Sequence, residues 1–262
     1  MKHENEKRFE DFFVDDRYVA VKNHLYNYQL RRRAINGRIT EPESSLILEV
    51  GSGLSPIVTG RDAIVYSELS FQALRTLKRL NEGRGNYVVA DGTKLPFREG
   101  SVPTIICSEV LEHVEHDDVA ICEIGRVLAR TGTAYITVPH RQMYFASDDA
   151  FVGHFRRYEI DDMEAKLNAA HLQLLSIRKV LGPLEKVTMW SVVKAFSIIV
   201  GVLGKHDSSK SSSGLLTVLA PFIKWGNFCY TFIAGLDAKI WPRSLSTVLL
   251  FEAGKPDAAD PS

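Results

Sequence analysis

The sequence predicts an α/β protein: a doubly wound, mostly parallel sheet with helices on both faces. Three observations carry this. From Ser44 onward short apolar runs alternate with helical stretches, the pattern of strand–helix–strand units. The first run ends in the glycine turn Gly51-Ser52-Gly53. The ends of three successive runs carry acidic residues, Glu49, Glu68 and Asp91.

Residues 7–36 read as helical, with Phe9, Phe12, Phe13, Tyr18, Val21, Leu25, Tyr28 and Leu30 as the bulky positions. The basic run Arg31–Arg33 that follows reads as a solvated helix end. Leu46–Val50, Ala63–Tyr66, Tyr87–Ala90, Thr104–Cys107 and Ala134–Val138 read as five strands, with helices near 70–81, 117–129 and 160–170. Leu172–Val180 and Thr247–Phe251 supply two more. Residues 183–243 are then an insertion before the last strand. It holds two apolar runs, 187–203 and 215–236, joined by the polar linker Lys205–Gly214. The expected organisation is a helical segment over 1–43, a core over 44–182, the insertion over 183–243, and the last strand with its tail over 244–262.

With 262 residues, 45% hydrophobic and 24% charged, the chain sits in the ordinary globular range. Its 32 basic and 32 acidic residues balance, which argues against nucleic acid as a partner. The balance hides an asymmetry: Lys186–Lys255 holds eight Lys/Arg against three acids. Cys107, Cys122 and Cys229 lack metal-ligand or CxxC spacing, so reduced thiols are expected. The charged opening MKHENEKRFEDFF has no apolar core of a signal peptide, and a cytoplasmic location is expected.

The run Leu46–Val50 leads into Gly51-Ser52-Gly53, where residues without Cβ permit a tight turn and close approach of a ligand to backbone. Glu49 lies inside the strand end, where a buried carboxylate needs a cationic or hydrogen-bonding partner. Glu68 ends the second strand about twenty residues on, the position from which α/β nucleotide folds accept ribose hydroxyls. Asp91 ends the third. Such an acidic edge suits a cationic ligand carrying ribose and an amino group and disfavours a pyrophosphate.

Residues 46–140 resemble the class I S-adenosylmethionine-dependent methyltransferases, in particular the type 11 group. The matching segments are Leu48-Glu-Val-Gly-Ser-Gly53, Ala90-Asp-Gly-Thr-Lys-Leu-Pro-Phe97, Cys107-Ser-Glu-Val-Leu-Glu-His-Val114 and Glu123-Ile-Gly-Arg-Val-Leu128. The resemblance implies a Rossmann-like seven-stranded sheet with the last strand antiparallel, and S-adenosylmethionine as cofactor. It implies that Glu49, Gly51, Ser52 and Gly53 line the methionine and ribose portion and that Glu68, with Leu69, holds the ribose. Asp91 and Gly92 would meet the adenine, and Ser108 and Glu109 would sit beside the methionine part. The chain departs from the group at Ser55, where a third glycine is common, and at Pro103, at the start of the fourth strand. Arg130-Thr-Gly132 replaces its usual Lys-Pro-Gly-Gly turn.

Methyl transfer from a sulfonium is an in-line displacement, so the protein chiefly orients the acceptor, with removal of its proton as an optional further role. His113, His140 and His154 are the candidate bases. Asp148–Tyr158 resembles a His-x-Arg-Arg-Tyr segment of type 11 relatives. Arg156, Arg157 and Tyr158 are thus candidate substrate contacts, with a structural ion pair as the alternative. Glu109-Val-Leu-Glu-His113 also resembles the metal-binding segment of some ubiquinone-pathway and small-RNA methyltransferases; no metal is expected here.

The apolar runs of the insertion approach bilayer-spanning length, but Lys194, Pro221, Lys224 and Asn227 break them. A packed helical cap is one reading. A lid over a hydrophobic substrate with peripheral membrane contact through 187–236 is the other. The sequence therefore points to methyl transfer to a small-molecule or lipid-like acceptor at oxygen, by a monomer or homodimer. The alternatives are a methyltransferase-like module without turnover and an RNA methyltransferase.

Overall fold

A computed structural model describes residues 23, 25–191 and 213–256. Expectations for 1–22, for 192–203 and for most of the 205–214 linker lie outside these residues, although Ser213 and Gly214 already belong to a helix rather than to a linker.

Seven strands form one sheet: β1 (Ile47–Val50), β2 (Ile64–Glu68), β3 (Asn86–Val89), β4 (Val102–Ser108), β5 (Leu128–Pro139), β6 (Gln173–Leu181) and β7 (Val248–Gly254). Their order is β3-β2-β1-β4-β5-β7-β6. β1 to β5 pair in parallel, and β7 inserts antiparallel between β5 and β6. The fold is thus the mostly parallel, Rossmann-like sheet with an antiparallel last strand. All four residues of β1 and all seven of β7 are buried, as strands covered on both faces must be.

The helices are α1 (Tyr26–Asn36), α2 (Phe71–Leu80), α3 (Asp117–Val127), α4 (Ser147–Val152), α5 (Ile160–Ala169) and α6 (Ser213–Ile240). Residues 184–191 are also helical. One core cluster, including Leu48, Ile105, Ile121, Leu167 and Phe251, lies under α3 and α5. A second, including Tyr28, Ile35, Ile64, Leu74 and Leu250, lies under α1 and α2. α1 fixes the chain beyond β1: Tyr28 Oη donates to the Pro56 carbonyl at 2.6 Å, and Asn36 Nδ2 to the Ile57 carbonyl at 3.0 Å.

Two local differences from the sequence reading have simple causes. Pro103, which lacks an N–H for the ladder, coincides with a register shift between Val102 and Thr104. Arg130-Thr-Gly132 lies within the long strand β5, not in a turn. A Cβ on Gly132 would come within 2.6 Å of the Pro103 carbonyl oxygen, so the close β4–β5 approach there requires glycine.

Candidate active site

β3, β2, β1 and β4 are neighbours, so the segments leaving their C-terminal ends lie side by side. These segments carry Asp91, Glu68, Gly51–Gly53 and Ser108–Glu109. Ligands bind at this edge of open α/β sheets. Gly51 has φ +66° and Gly53 φ +54°, the left-handed region that favours glycine. A Cβ on Gly51 would also lie 2.4 Å from Val110 Cγ2. The turn is therefore locked against the segment that follows β4.

The carboxylates do different work. Glu49 is buried and accepts from Ile57 N at 2.6 Å and Val58 N at 3.3 Å. Burial pushes its carboxyl up to about 8, against those two hydrogen bonds. Its visible role is to hold the 51–58 loop, which supplies the partner the sequence demanded. Glu68 Oε2 accepts from Gly53 N at 3.0 Å and Oε1 from Ser70 N at 3.1 Å, tying the glycine turn to the N-cap of α2. Asp91 is exposed, its Oδ1 accepting from the backbone and hydroxyl of Thr93. Leu69 is exposed, and Gly92 stands over Val50. Ser108 Oγ lies 2.8 Å from Thr137 Oγ1.

Beyond β4 the backbone turns sharply. Glu109 adopts φ +55°, a strained conformation for a non-glycine residue, of the kind that clusters at functional sites. Its carboxylate is 3.9 Å from Arg31 Nη1. Arg31 is therefore part of this site rather than a solvated helix end. Glu112 is fully buried, and neither of its oxygens accepts a hydrogen bond among the described residues. Burial and the neighbouring Glu109 drive its carboxyl well above the usual range.

The structure brings two of the three candidate histidines together. The rings of His113 and His154 meet edge to face with centroids 4.7 Å apart, and His154 Nε2 is 3.8 Å from Glu112 Oε1. His154 Nδ1 lies 2.8 Å from Asp149 Oδ1, so a carboxylate orients the ring. Glu112, His113 and His154 offer ligand atoms within 4.8 Å of one another. His140 has other neighbours. It is buried, with Nδ1 2.8 Å from the Ser246 carbonyl and Nε2 4.0 Å from Glu159, and burial lowers its pKa.

The three candidate substrate contacts are held by intramolecular partners. Arg157 is buried and clamps Asp149 through Nε and Nη2, at 2.9 and 2.8 Å. Arg156 pairs with Asp117 and donates to the Glu115 carbonyl. Tyr158, fully buried, donates to Asp117 Oδ2 at 2.8 Å. The segment thus carries its structural alternative in full, and its arginines fix the loop that presents His154. Sequence reasoning missed Asp149 and Arg31. The spacing of an acid five residues before His154 was the available signal for the first; nothing local signalled the second.

Strand order, the glycine turn and the acidic edge fit an α/β domain that takes its ligand at the C-terminal edge of the sheet. Residues 48–136, about a third of the chain, match the family model described as "Methyltransferase domain", type 11. No curated protein matches the chain in a sequence search. Solved structures share the fold. A chain from the complex of the Haloferax volcanii Trm112 methyltransferase activator with its methyltransferase is 14% identical, with TM-score 0.62, over 95% of this chain and 97% of that one. Geranyl diphosphate C-methyltransferase from Streptomyces coelicolor A3(2), solved with Mg²⁺, geranyl diphosphate and S-adenosyl-L-homocysteine, is 11% identical, with TM-score 0.55, over 86% and 79%. The [4+2]-cyclase SpnF is 16% identical, with TM-score 0.54, over 86% and 79%. The Streptomyces coelicolor structure holds S-adenosyl-L-homocysteine, the demethylated form of S-adenosylmethionine. The left-handed Gly51 and Gly53, and Ser52, whose buried hydroxyl has no partner among the described residues, fit a ligand that approaches the backbone closely.

Proposed function

We propose that the chain methylates a small-molecule or lipid-like acceptor at oxygen, with His154 as the general base. One observation carries this reading. Asp149 holds Nδ1 of His154 and leaves Nε2 facing Glu112 and His113; with Nδ1 as the donor to the carboxylate, a neutral ring would offer its lone pair at Nε2. A carboxylate-oriented imidazole is the arrangement that accepts a hydroxyl proton as a new bond forms at oxygen.

The cofactor supplies an electrophilic methyl group. Gly51, Ser52 and Gly53 would admit it against the backbone, and Glu68, with Leu69 beside it, would accept the ribose hydroxyls. Asp91 and Gly92 would meet the adenine, and Ser108 and Glu109 the methionine portion. Glu49 would act from beneath, by holding the loop. The acceptor would lie over Glu109, Glu112, His113 and His154, and Arg31 would set the local charge. His140, Arg157 and Tyr158 would support this arrangement from inside the fold. One fold relative is by its name a geranyl diphosphate C-methyltransferase, which agrees with a small-molecule or lipid-like acceptor and does not choose it. Screening hydroxylated acceptors with wild type and His154→Ala tests the reading: turnover of a hydroxyl acceptor that the variant loses supports it, and turnover that the variant retains overturns it.

A second reading is favoured by Glu112. A fully buried carboxylate without a hydrogen bond is costly, and two imidazoles beside it complete a donor set suited to a divalent transition metal. The outer carboxylate of Asp149 on the far nitrogen of His154 is the support that metal-bound histidines usually have. Titration of the protein with Mn²⁺ and Zn²⁺, beside Glu112→Gln, separates the two readings without any turnover assay. Binding that the variant loses makes His154 a ligand instead of a base.

A further inference from the structure

The second half of α6 leaves an apolar face without a partner among the described residues. Its inner side is settled: Asn227 accepts from Tyr26 N, Tyr230 meets Tyr26 edge to face, and Thr231, Ala234 and Ala238 are buried. At 100° per residue, Phe228, Phe232, Leu236, Ile240 and Ile233 fall in one arc on the opposite side, roughly 140° wide. All are exposed, from 42% at Leu236 to 74% at Ile240. Trp241, just past the end of α6, is also exposed, at 45%. Scattered apolar residues are ordinary on surfaces, whereas a contiguous stripe of this kind marks an interaction site.

Where this face ends, positive charge begins. Ala238 and Lys239 line a groove of about 710 Å³ that also receives Arg33, Arg38, Arg178, Lys179 and Arg243, with no acidic residue in its lining. Glu252 offsets part of this charge by accepting from Arg38 and Arg178. Lys179 donates to the carbonyls of Lys239 and Trp241, which fixes the groove to the end of the apolar helix. Lys239 belongs to both: it falls within the apolar arc, about 20° from Phe228, and lines the groove, so the cations adjoin the C-terminal end of the apolar face.

We propose that this surface docks on an anionic bilayer, with α6 lying in the headgroup plane. Charge complementarity selects this occupant. A helix with an apolar face and flanking cations binds an interface by burying the one and pairing the other with anionic lipid, and tryptophan favours the headgroup level. No helix among the described residues is long and apolar enough to cross a membrane, so the contact is peripheral. A second copy of this chain would have to bring two like-charged grooves together, which electrostatics disfavours. The proposal stands apart from the catalytic reading, since it concerns binding without cofactor or acceptor.

The test is co-sedimentation of the full chain with vesicles of phosphatidylcholine, alone or mixed with phosphatidylglycerol. Binding is expected only to the mixed vesicles, and it should weaken as salt rises. Lys239→Gln and Arg243→Gln should each weaken it about fivefold. Phe232→Ser/Ile240→Ser should abolish it while leaving the melting temperature and S-adenosylmethionine affinity unchanged. Failure to sediment with either vesicle, equal binding to both, or a dimer in solution that Phe232→Ser/Ile240→Ser dissolves would each overturn the proposal. So would protection of α6 from hydrogen exchange by residues 192–212 of the same chain.

Discussion

Asp149 Oδ1 lies 2.8 Å from Nδ1 of His154, and the same carboxylate receives Nε of Arg157 and Nζ of Lys186. Burial alone would raise the Asp149 carboxyl, but the hydrogen bonds from His154 and Arg157 outweigh it and hold the group far below the usual carboxylate range. An acid held toward its ionised form therefore orients the ring of the proposed base. His154→Ala is expected to lower kcat by about 100-fold or more. Asp149→Asn should act in the same direction with a smaller loss. Neither should change S-adenosylmethionine affinity, which separate titrations would check.

Gly51→Ala should be severe. The residue has φ +66°, and its new Cβ would sit 2.4 Å from Val110 Cγ2. The left-handed backbone costs about 1–2 kcal/mol and the overpacking about 1–3 kcal/mol. Thermal melting should show both, with weakened cofactor binding. Adding Val110→Ala should recover the packing part and leave the backbone part, so only partial rescue is expected.

Much of this was legible in the sequence. The central strands β1, β4 and β7 announced themselves as apolar runs, because strands covered on both faces have no polar side to confuse the pattern, whereas the edge strands β3 and β6 are partly exposed. The acids at Glu49, Glu68 and Asp91 were visible because they recur at strand ends. Arg31 was not, since its partner Glu109 is 78 positions away and only the packing of α1 brings them near. Arg156 and Arg157 looked like ligand clamps because sequence shows a guanidinium but not its partner. Asp117, which holds Arg156, is 39 positions away and meets it only in the fold, whereas Asp149 lies just eight positions before Arg157.

Asp117 gathers Tyr158, Arg156 and Lys166 and is itself buried. Asp117→Ala strands the buried Tyr158 hydroxyl and releases two cations, so a loss on the order of 3 kcal/mol is expected. Urea unfolding would measure it. Arg156→Ala should cost less, because part of that side chain remains in solvent.

The Glu49 carboxyl titrates near 8 in the native protein, against a usual value of 4.5, because burial disfavours its charge. Between those values the unfolded chain has released a proton that the native protein keeps, so stability falls as pH rises from about 5 to 8. Above that window the unfavourable contribution is complete. Glu49→Gln should flatten this slope, as denaturant midpoints at several pH values would show. An unchanged slope would assign the pH dependence to other groups.

The most direct test is calorimetric titration of S-adenosylmethionine into wild type, Glu68→Ala and Asp91→Ala. Binding by the wild type that both substitutions weaken, with all three proteins folded, is the predicted result. A folded wild type that fails to bind, or variants that bind as the wild type does, would contradict the assignment of the acidic edge to the cofactor.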